Sequence, residues 1–451
     1  MSLNFKKIGM LTFLMFSLCN TLDSRGLWAM GSKPPEAVEE TAPANLPPLT
    51  LEEAYQASLQ RSEELAMKKA DIDMTWANFL DATSQALGNV SFQMEDFRQE
   101  DLGGGSSESG ATSSFNRPES RENKFVISQP LFQGFKSIGA LTGASSLHQQ
   151  REYTYTRAKQ LLFLDVAYAF YKTLESEQAL EITSDTLKLL SDRVKDLTQR
   201  EKIGKSRKSE VVTARARINS LKADRARTKG ELQREYRMLE FLTGHDLVGR
   251  RLIIDEPLPP TENSLSHYLE QSKNRPDVES ARYALKTAKR NIVVAQSQMW
   301  PTVSLDHTQY ERRDGFQSAI DWDLLLKINV PLFQGGEALG KIKAALVNKK
   351  KSDLTLSLAE RESNMSTKSS YDSLNARFEE YDALEAAVKT AEENYTVQKE
   401  DYALSLVTNL DVLAALENLN QTRLDFNAVH FLLLNDYRKL QVASGDCCES
   451  V

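Results

Sequence analysis

Ile127 to Ala144 reads ISQPLFQGFKSIGALTGA and Ile328 to Ala345 reads INVPLFQGGEALGKIKAA, two stretches 201 residues apart that share Pro-Leu-Phe-Gln-Gly outright. The offset returns downstream. Glu210-Val211 falls on Asp411-Val412, Tyr236-Arg237 on Tyr437-Arg438, Leu239 on Leu440 and Gly244 on Gly445, each 201 residues on. Several matches in order without net insertion are the mark of an internal duplication, which decides the architecture before any local reading.

Gly and Pro divide each half into the same series: a helix, two short strands, a very long helix and a returning helix. The first half is expected over residues 49–245, with strands at about 88–98 and 123–133 and a long helix at about 135–203. The second is expected over 263–445, with strands at about 302–312 and 322–333 and a long helix at about 336–404. Residues 246–262 read as a linker and 446–451 as a tail.

Leu187, Leu190, Val194 and Leu197 keep 3-4-3 spacing, and Leu374, Phe378, Tyr381, Leu384, Val388, Ala391 and Tyr395 do the same, so these helices pack along seams. At 1.5 Å per residue each long helix extends about 100 Å, beyond any ordinary globular domain. They are staves of a tube.

The strands alternate. Val90, Phe92 and Met94 oppose Ser91, Gln93 and Glu95; Val303 and Leu305 oppose Ser304 and Asp306. Leu324, Leu326, Ile328 and Val330 oppose Asp323, Lys327 and Asn329, and Leu325 alone breaks the pattern. About ten residues suit a tilted strand crossing the hydrocarbon layer. The connections, Gly103 to Ser114 within the first pair and Glu311 to Asp321 in the second, read as exposed loops.

Four strands in lipid leave two open edges whose unpaired amides and carbonyls cost several kcal/mol each, because no water replaces the missing bonds. Closure escapes that cost, yet the smallest membrane barrels use eight strands. The chain therefore requires further copies. A ring of strands imposes a ring of helices beneath it, and Ser91, Glu95, Ser304 and Asp306 would wet its lumen. The fold class expected is mainly α with a small transmembrane β part.

Residues 1–29 read as a secretory signal, with Lys6 and Lys7 before the apolar run Ile8 to Leu18, and 30–48 as a Pro-rich linker. Cys19 is a candidate for lipidation; Cys447 and Cys448, adjacent at the C-terminus, are ill placed for a structural disulfide. The net charge of −7 argues against nucleic acid as a partner.

Catalytic chemistry has no obvious home. Gly204-Lys205-Ser206 ends like a phosphate loop, but the glycine needed five positions earlier is Gln199. His148, His245, His267, His307 and His430 are scattered without metal-ligand spacing, and there is no Cys-x-x-Cys, so no metal, cofactor or enzymatic activity is expected.

With Pro130-Leu131-Phe132-Gln133-Gly134 and Pro331-Leu332-Phe333-Gln334-Gly335-Gly336 go Arg275-Pro276-Asp277, opening the second half, and Pro301-Thr302-Val303-Ser304-Leu305, entering its first strand. In this ordered set the chain resembles the TolC-like outer-membrane efflux proteins from about Leu49 to Gly445. Asn89 stands where the family often has proline. The resemblance implies a homotrimer with a 12-stranded β-barrel in the outer membrane, continued by a periplasmic α-helical barrel. Its partners would be a periplasmic adaptor and an inner-membrane transporter, with the lipid bilayer around the strands. The alternative is a periplasmic coiled-coil structural or adaptor protein whose strands form a soluble domain.

The resemblance also places functional residues at the two turns where the long helices fold back. Ser209, Glu210, Tyr402 and Asp411 match gate positions, and Gly204, Lys205, Ser206, Ser405, Leu406 and Thr408 match adaptor-contact tips. Val407 stands at the family's arginine latch and Ala414 at its second acidic ring. Thr408 with Asp411 reads equally as a helix-capping pair. Lys205, Arg207 and Lys208 suggest ion pairs with Asp411 or Glu210.

Overall fold

A computed structural model of the chain describes residues 48–98, 100, 119–247, 250–254, 258–259, 264–314 and 317–446. The secretory segment, Cys19, all but the last residue of the Pro-rich linker, the Gly103–Ser114 loop and residues 447–451 lie outside these.

Eight α-helices and four strands are described. The first half contains α1 (Leu51–Arg61), α2 (Glu63–Leu87), β1 (Asn89–Arg98), β2 (Glu119–Gln133), α3 (Lys136–Lys202) and α4 (Lys208–Thr243). The second contains α5 (Leu265–Gln271), α6 (Pro276–Gln296), β3 (Thr302–Arg313), β4 (Trp322–Asn329), α7 (Glu337–Ala403) and α8 (Asn409–Ser444). Both long helices have 67 residues. Among the described residues no helix is long and apolar enough to cross a membrane.

The joints repeat at the offset of the sequence. Gly134, Phe135, Gly204 and Gly244 have φ of 61°, 65°, 73° and 72°, and Gly335, Gly336, Ser405 and Gly445 have 58°, 89°, 67° and 88°. Phe135 thus holds a left-handed conformation that costs a side-chain-bearing residue about 1–2 kcal/mol. Its ring is packed edge-on against Phe132 at 5.4 Å and Trp300 at 5.8 Å, contacts that offset the strain.

Helix starts follow capping chemistry. Thr50 accepts from the Glu53 amide and Ser62 from the Leu65 amide, both at 3.3 Å. Pro276 opens α6, and the guanidinium of Arg275, 4% exposed, grips the Asp277 carboxylate at 2.7 Å through Nε and Nη2. It also donates to Ser366 at 2.6 Å and to the Ala443 carbonyl at 3.3 Å, so the Arg-Pro-Asp motif ties α6 to α7 and the end of α8.

The main core lies where α1 and Leu252 meet α3, α4 and α8: Tyr55, Phe163, Val166, Phe170, Leu239 and Phe431 are buried there. Further along, Leu190, Leu197, Val211, Ala214, Tyr402, Val412, Leu413 and Leu416 form a second cluster joining α3, α4, α7 and α8.

The strands form one antiparallel meander in the order β1-β2-β3-β4. Its register aligns Val90 with Ile127 and Phe92 with Phe125, then Ile127 with His307, Val303 with Ile328 and Leu305 with Leu326. Because paired residues share a face, the apolar positions of all four strands merge into one surface. Ser91, Glu95, Ser304 and Asp306 lie together on the opposite face, where Phe97, Val126 and Leu325 are among the apolar exceptions. Asp306 there accepts from the Ser128 hydroxyl at 2.5 Å, and Lys124 bridges Glu95 and Glu122 at 3.4 and 3.2 Å.

Two strand bounds differ from the sequence expectation. β2 starts at Glu119 because pairing with β1 continues to Arg98. β4 stops at Asn329, short of Phe333: β2 continues to Gln133 only because Phe132 and Gln133 pair with Val303 and Thr302, and β4 has no described strand on its other side.

Candidate functional site

The long helices carry the chain about 100 Å from the sheet to two tight turns. The first closes through Gly204, whose amide bonds the Glu201 carbonyl at 3.0 Å while that of Lys205 bonds the Arg200 carbonyl at 2.8 Å. The second repeats the arrangement with Ser405 to Tyr402 at 3.0 Å and Leu406 to Asp401 at 2.9 Å. Gly204, Lys205, Ser405 and Leu406 are exposed at these turns and Ser206 is half-buried.

Behind the turns a polar cluster joins both hairpins. Tyr402, at the end of α7, is buried, and its hydroxyl donates to Glu210 of α4 at 3.3 Å. Ser206 donates to the same carboxylate oxygen at 2.6 Å. The guanidinium of Arg193, from α3, lies 3.8 Å from the centre of the Tyr402 ring and that of Arg200 lies 5.2 Å away. Arg193 also donates to Asn409 of α8 at 3.0 Å and pairs with Asp196 at 3.4 Å. Burial first, and then the Glu210 charge, push the Tyr402 hydroxyl above its ordinary range, so it stays a donor at neutral pH.

Of the four positions expected at a gate, the structure joins Glu210 and Tyr402 and leaves the others apart. Ser209 is exposed on the first turn of α4. Asp411 is exposed on α8, where it accepts from the Thr408 hydroxyl at 2.6 Å and the Thr408 amide at 2.8 Å in a complete capping box. Those two bonds hold its carboxyl below the usual range and therefore ionised. Thr408 thus serves as the cap of α8. Leu404, Leu406 and Leu410 project beside it, 70%, 70% and 64% exposed.

Within one copy the ion pairs expected for Lys205, Arg207 and Lys208 are absent. Glu210 is turned to Ser206 and Tyr402, Asp411 is satisfied by its own helix start, and the three basic side chains have no acid partner among the described residues. Arg193 is the residue sequence reasoning missed. A basic residue beside Val194, in an otherwise apolar seam, was the only local signal; its aromatic partner is 209 positions away. Among the described residues no group of three or more His, Cys, Asp or Glu side chains converges to hold a metal.

A family model described as "Outer membrane efflux protein" matches residues 54–245 and 269–446, one segment in each half. The Salmonella enteritidis outer membrane protein TolC is 24% identical over 420 residues, covering 88% of this chain and 82% of that protein. The alkaline protease secretion protein AprF of Pseudomonas aeruginosa is 21% identical over 334 residues, 71% and 68% of the two chains. Among solved structures, the outer membrane protein VceC from Vibrio cholerae superposes with a TM-score of 0.76 at 19% identity, over 88% of this chain and 96% of its own.

Proposed function

The chain belongs to the outer membrane efflux protein family, and from that premise we propose that three copies enclose one exit duct, gated at the helix tips and fed by an adaptor and an inner-membrane transporter. Residence in the outer membrane and the role of exit channel follow from the family; assembly, gate and partners are our reading.

The observation that carries assembly is an unfilled contact whose filled counterpart lies within the chain. Between the halves β2 pairs with β3, and α3 packs on α6. A Cβ on Gly134 would meet Trp300 at 2.6 Å, and one on Gly139 would meet Val294 at 3.0 Å. Their duplicates Gly335 and Gly340 face open space. β4 and β1 are the free edges, and α7 and α2 beside them expose Leu339, Leu346, Val347 and Leu354, and Met67, Met74 and Trp76. Repeating the inner contact between copies joins β4 to the next β1 and α7 to the next α2. Three repeats give twelve strands, whose merged apolar surface faces lipid and whose polar surface faces water.

In this ring Arg193, Tyr402 and Glu210 tie the α7–α8 hairpin to the α3–α4 hairpin and hold the tips closed. Asp411, kept ionised by its cap, contributes one carboxylate per copy near the opening and favours cations there. The exposed leucines of the second turn and the basic first turn offer the adaptor its contacts. Fractionation followed by native mass measurement in mild detergent tests the assembly. A trimer from the outer-membrane fraction is expected, and a monomer in the soluble periplasm overturns it. Asp411→Asn should lower cation selectivity in planar bilayers; unchanged selectivity removes Asp411 from the opening.

A further inference from the structure

The lower half of α4 differs from its duplicate in charge. Residues 207–229 hold eight Lys or Arg against two acids, whereas residues 408–430 of α8 hold one basic residue and three acids. Lys208, Arg215, Lys222, Arg225 and Lys229 are all exposed, and none has an acid partner among the described residues. Lys208, Arg215, Lys222 and Lys229 recur every seven residues, which aligns them along one side of a coiled-coil helix. Like charges at these spacings repel one another weakly, and the face they form is open to an acidic counter-surface.

The duplication says where that surface lies. α8 rests on α3 through Asn409 with Arg193 at 3.0 Å, Asn420 with Thr186 at 2.8 Å and Asn427 with the Glu175 carbonyl at 2.9 Å. Moved by the 201-residue offset, these pairs become Lys208 with Asn394, Asn219 with Ala387 and Ala226 with Ala376, that is, α4 against α7. Within one chain α4 packs on α3 and only brushes α8. The exposed line Asn219, Ala223, Ala226 and Gly230 on α4 is small, as are the exposed Ala376 and Ala383 and the half-buried Ala387 on α7, so the two backbones have room to approach. Residues 376–403 of α7 hold eight acids against three basic residues, and Glu379, Asp382, Glu385 and Glu393 are exposed without an ion pair. These are opposite charges at the same level of the tube.

We propose that the basic face of α4 docks on the acidic face of α7 of a neighbouring copy, so that the lower tube is held shut between copies by charge and not by apolar burial. The proposal rests on the ring-forming reading above. Such a seam weakens with salt, since the screening length falls from about 10 Å at 0.1 M to about 3 Å at 1 M.

The test is a disulfide between copies, from Asn219→Cys with Ala387→Cys in a chain whose Cys447 and Cys448 are replaced by Ser. On non-reducing gels a ladder ending at the trimer is expected, with a yield that falls severalfold in 1 M KCl. Reversal of α4 (Arg215→Glu, Lys222→Glu, Lys229→Glu) should cut the yield to a similar extent, and reversal of α7 (Glu379→Lys, Glu385→Lys, Glu393→Lys) added to it should restore it. A native trimer that never cross-links, or a yield indifferent to both reversals, overturns the proposal and leaves the ring intact. An α4 reversal that spares the cross-link yet abolishes binding of an acidic partner hairpin assigns the face to that partner and equally overturns it. A monomeric native mass would instead overturn the ring reading.

Discussion

Arg193 lies between a ring and an amide that come from two other helices, so its loss reaches beyond its own hairpin. A guanidinium over a half-desolvated tyrosine contributes about 1–2 kcal/mol, and its removal leaves Asn409 without its donor. Arg193→Ala should raise the single-channel conductance of the resting state, and Arg193→Lys, which keeps charge without the flat stack, should raise it less. Equal conductance for both variants and the parent would exclude the residue from the closed state. The raised Tyr402 hydroxyl and the lowered Asp411 carboxyl fix the pH behaviour. The Tyr402 contact is fully present below the ordinary tyrosine pKa of about 10 and is lost only as pH rises through the higher folded value. The Asp411 cap is present above the ordinary carboxylate value of about 4 and is lost as pH falls through its lower folded value. Hydrogen exchange at the start of α8 should therefore be constant, after correction for intrinsic rates, between pH 5 and 8. Glu210 and Tyr402 were recognisable in the sequence only through resemblance, and Arg193 was not recognisable at all. A stacking contact between residues 209 apart leaves no periodicity.

At the scale of elements, the joints between strand and helix are more demanding than the turns at the tips. A side chain on Gly134 meets both a positive φ of 61° and the Trp300 Cβ at 2.6 Å, whereas Gly204 combines a φ of 73° with open space. Gly204→Ala should cost about 1 kcal/mol of backbone strain, and Gly134→Ala several times that, because the strand–helix junction must shift. Thermal unfolding in detergent, compared between the two variants, measures the difference. These elements were the legible part of the sequence. Long proline-free seams and punctuation shared by two halves leave little freedom for a 67-residue helix to be anything else. Strand ends were less legible, since β2 and β4 stop at different points of the same motif: Gln133 still pairs with Thr302, whereas its duplicate Gln334 lies beyond the last β3–β4 pair, Thr302 with Asn329.

For the molecule as a whole, the proposed ring rests on the free flank of α7. Tyr153 of α3 stacks on Tyr283 of α6 at 5.5 Å; its duplicate on α7 is Leu354, 61% exposed in a single copy. Leu354→Glu places a charge where the proposed ring puts the neighbouring α2, with a desolvation cost of several kcal/mol. It is expected to shift the native mass from trimer to monomer while helix content by circular dichroism is unchanged. A trimer of normal stability would show that α7 meets no second copy there.

Leu332 and Phe333, 93% and 91% exposed beside the unpaired edge of β4, give this architecture a hazard before it is finished. A lone chain presents sticky side chains next to an open backbone, a template for indiscriminate strand addition. Its lifetime in that condition must be short or escorted: the rate at which siblings meet, set against the rate of clumping, limits how much working duct a cell obtains.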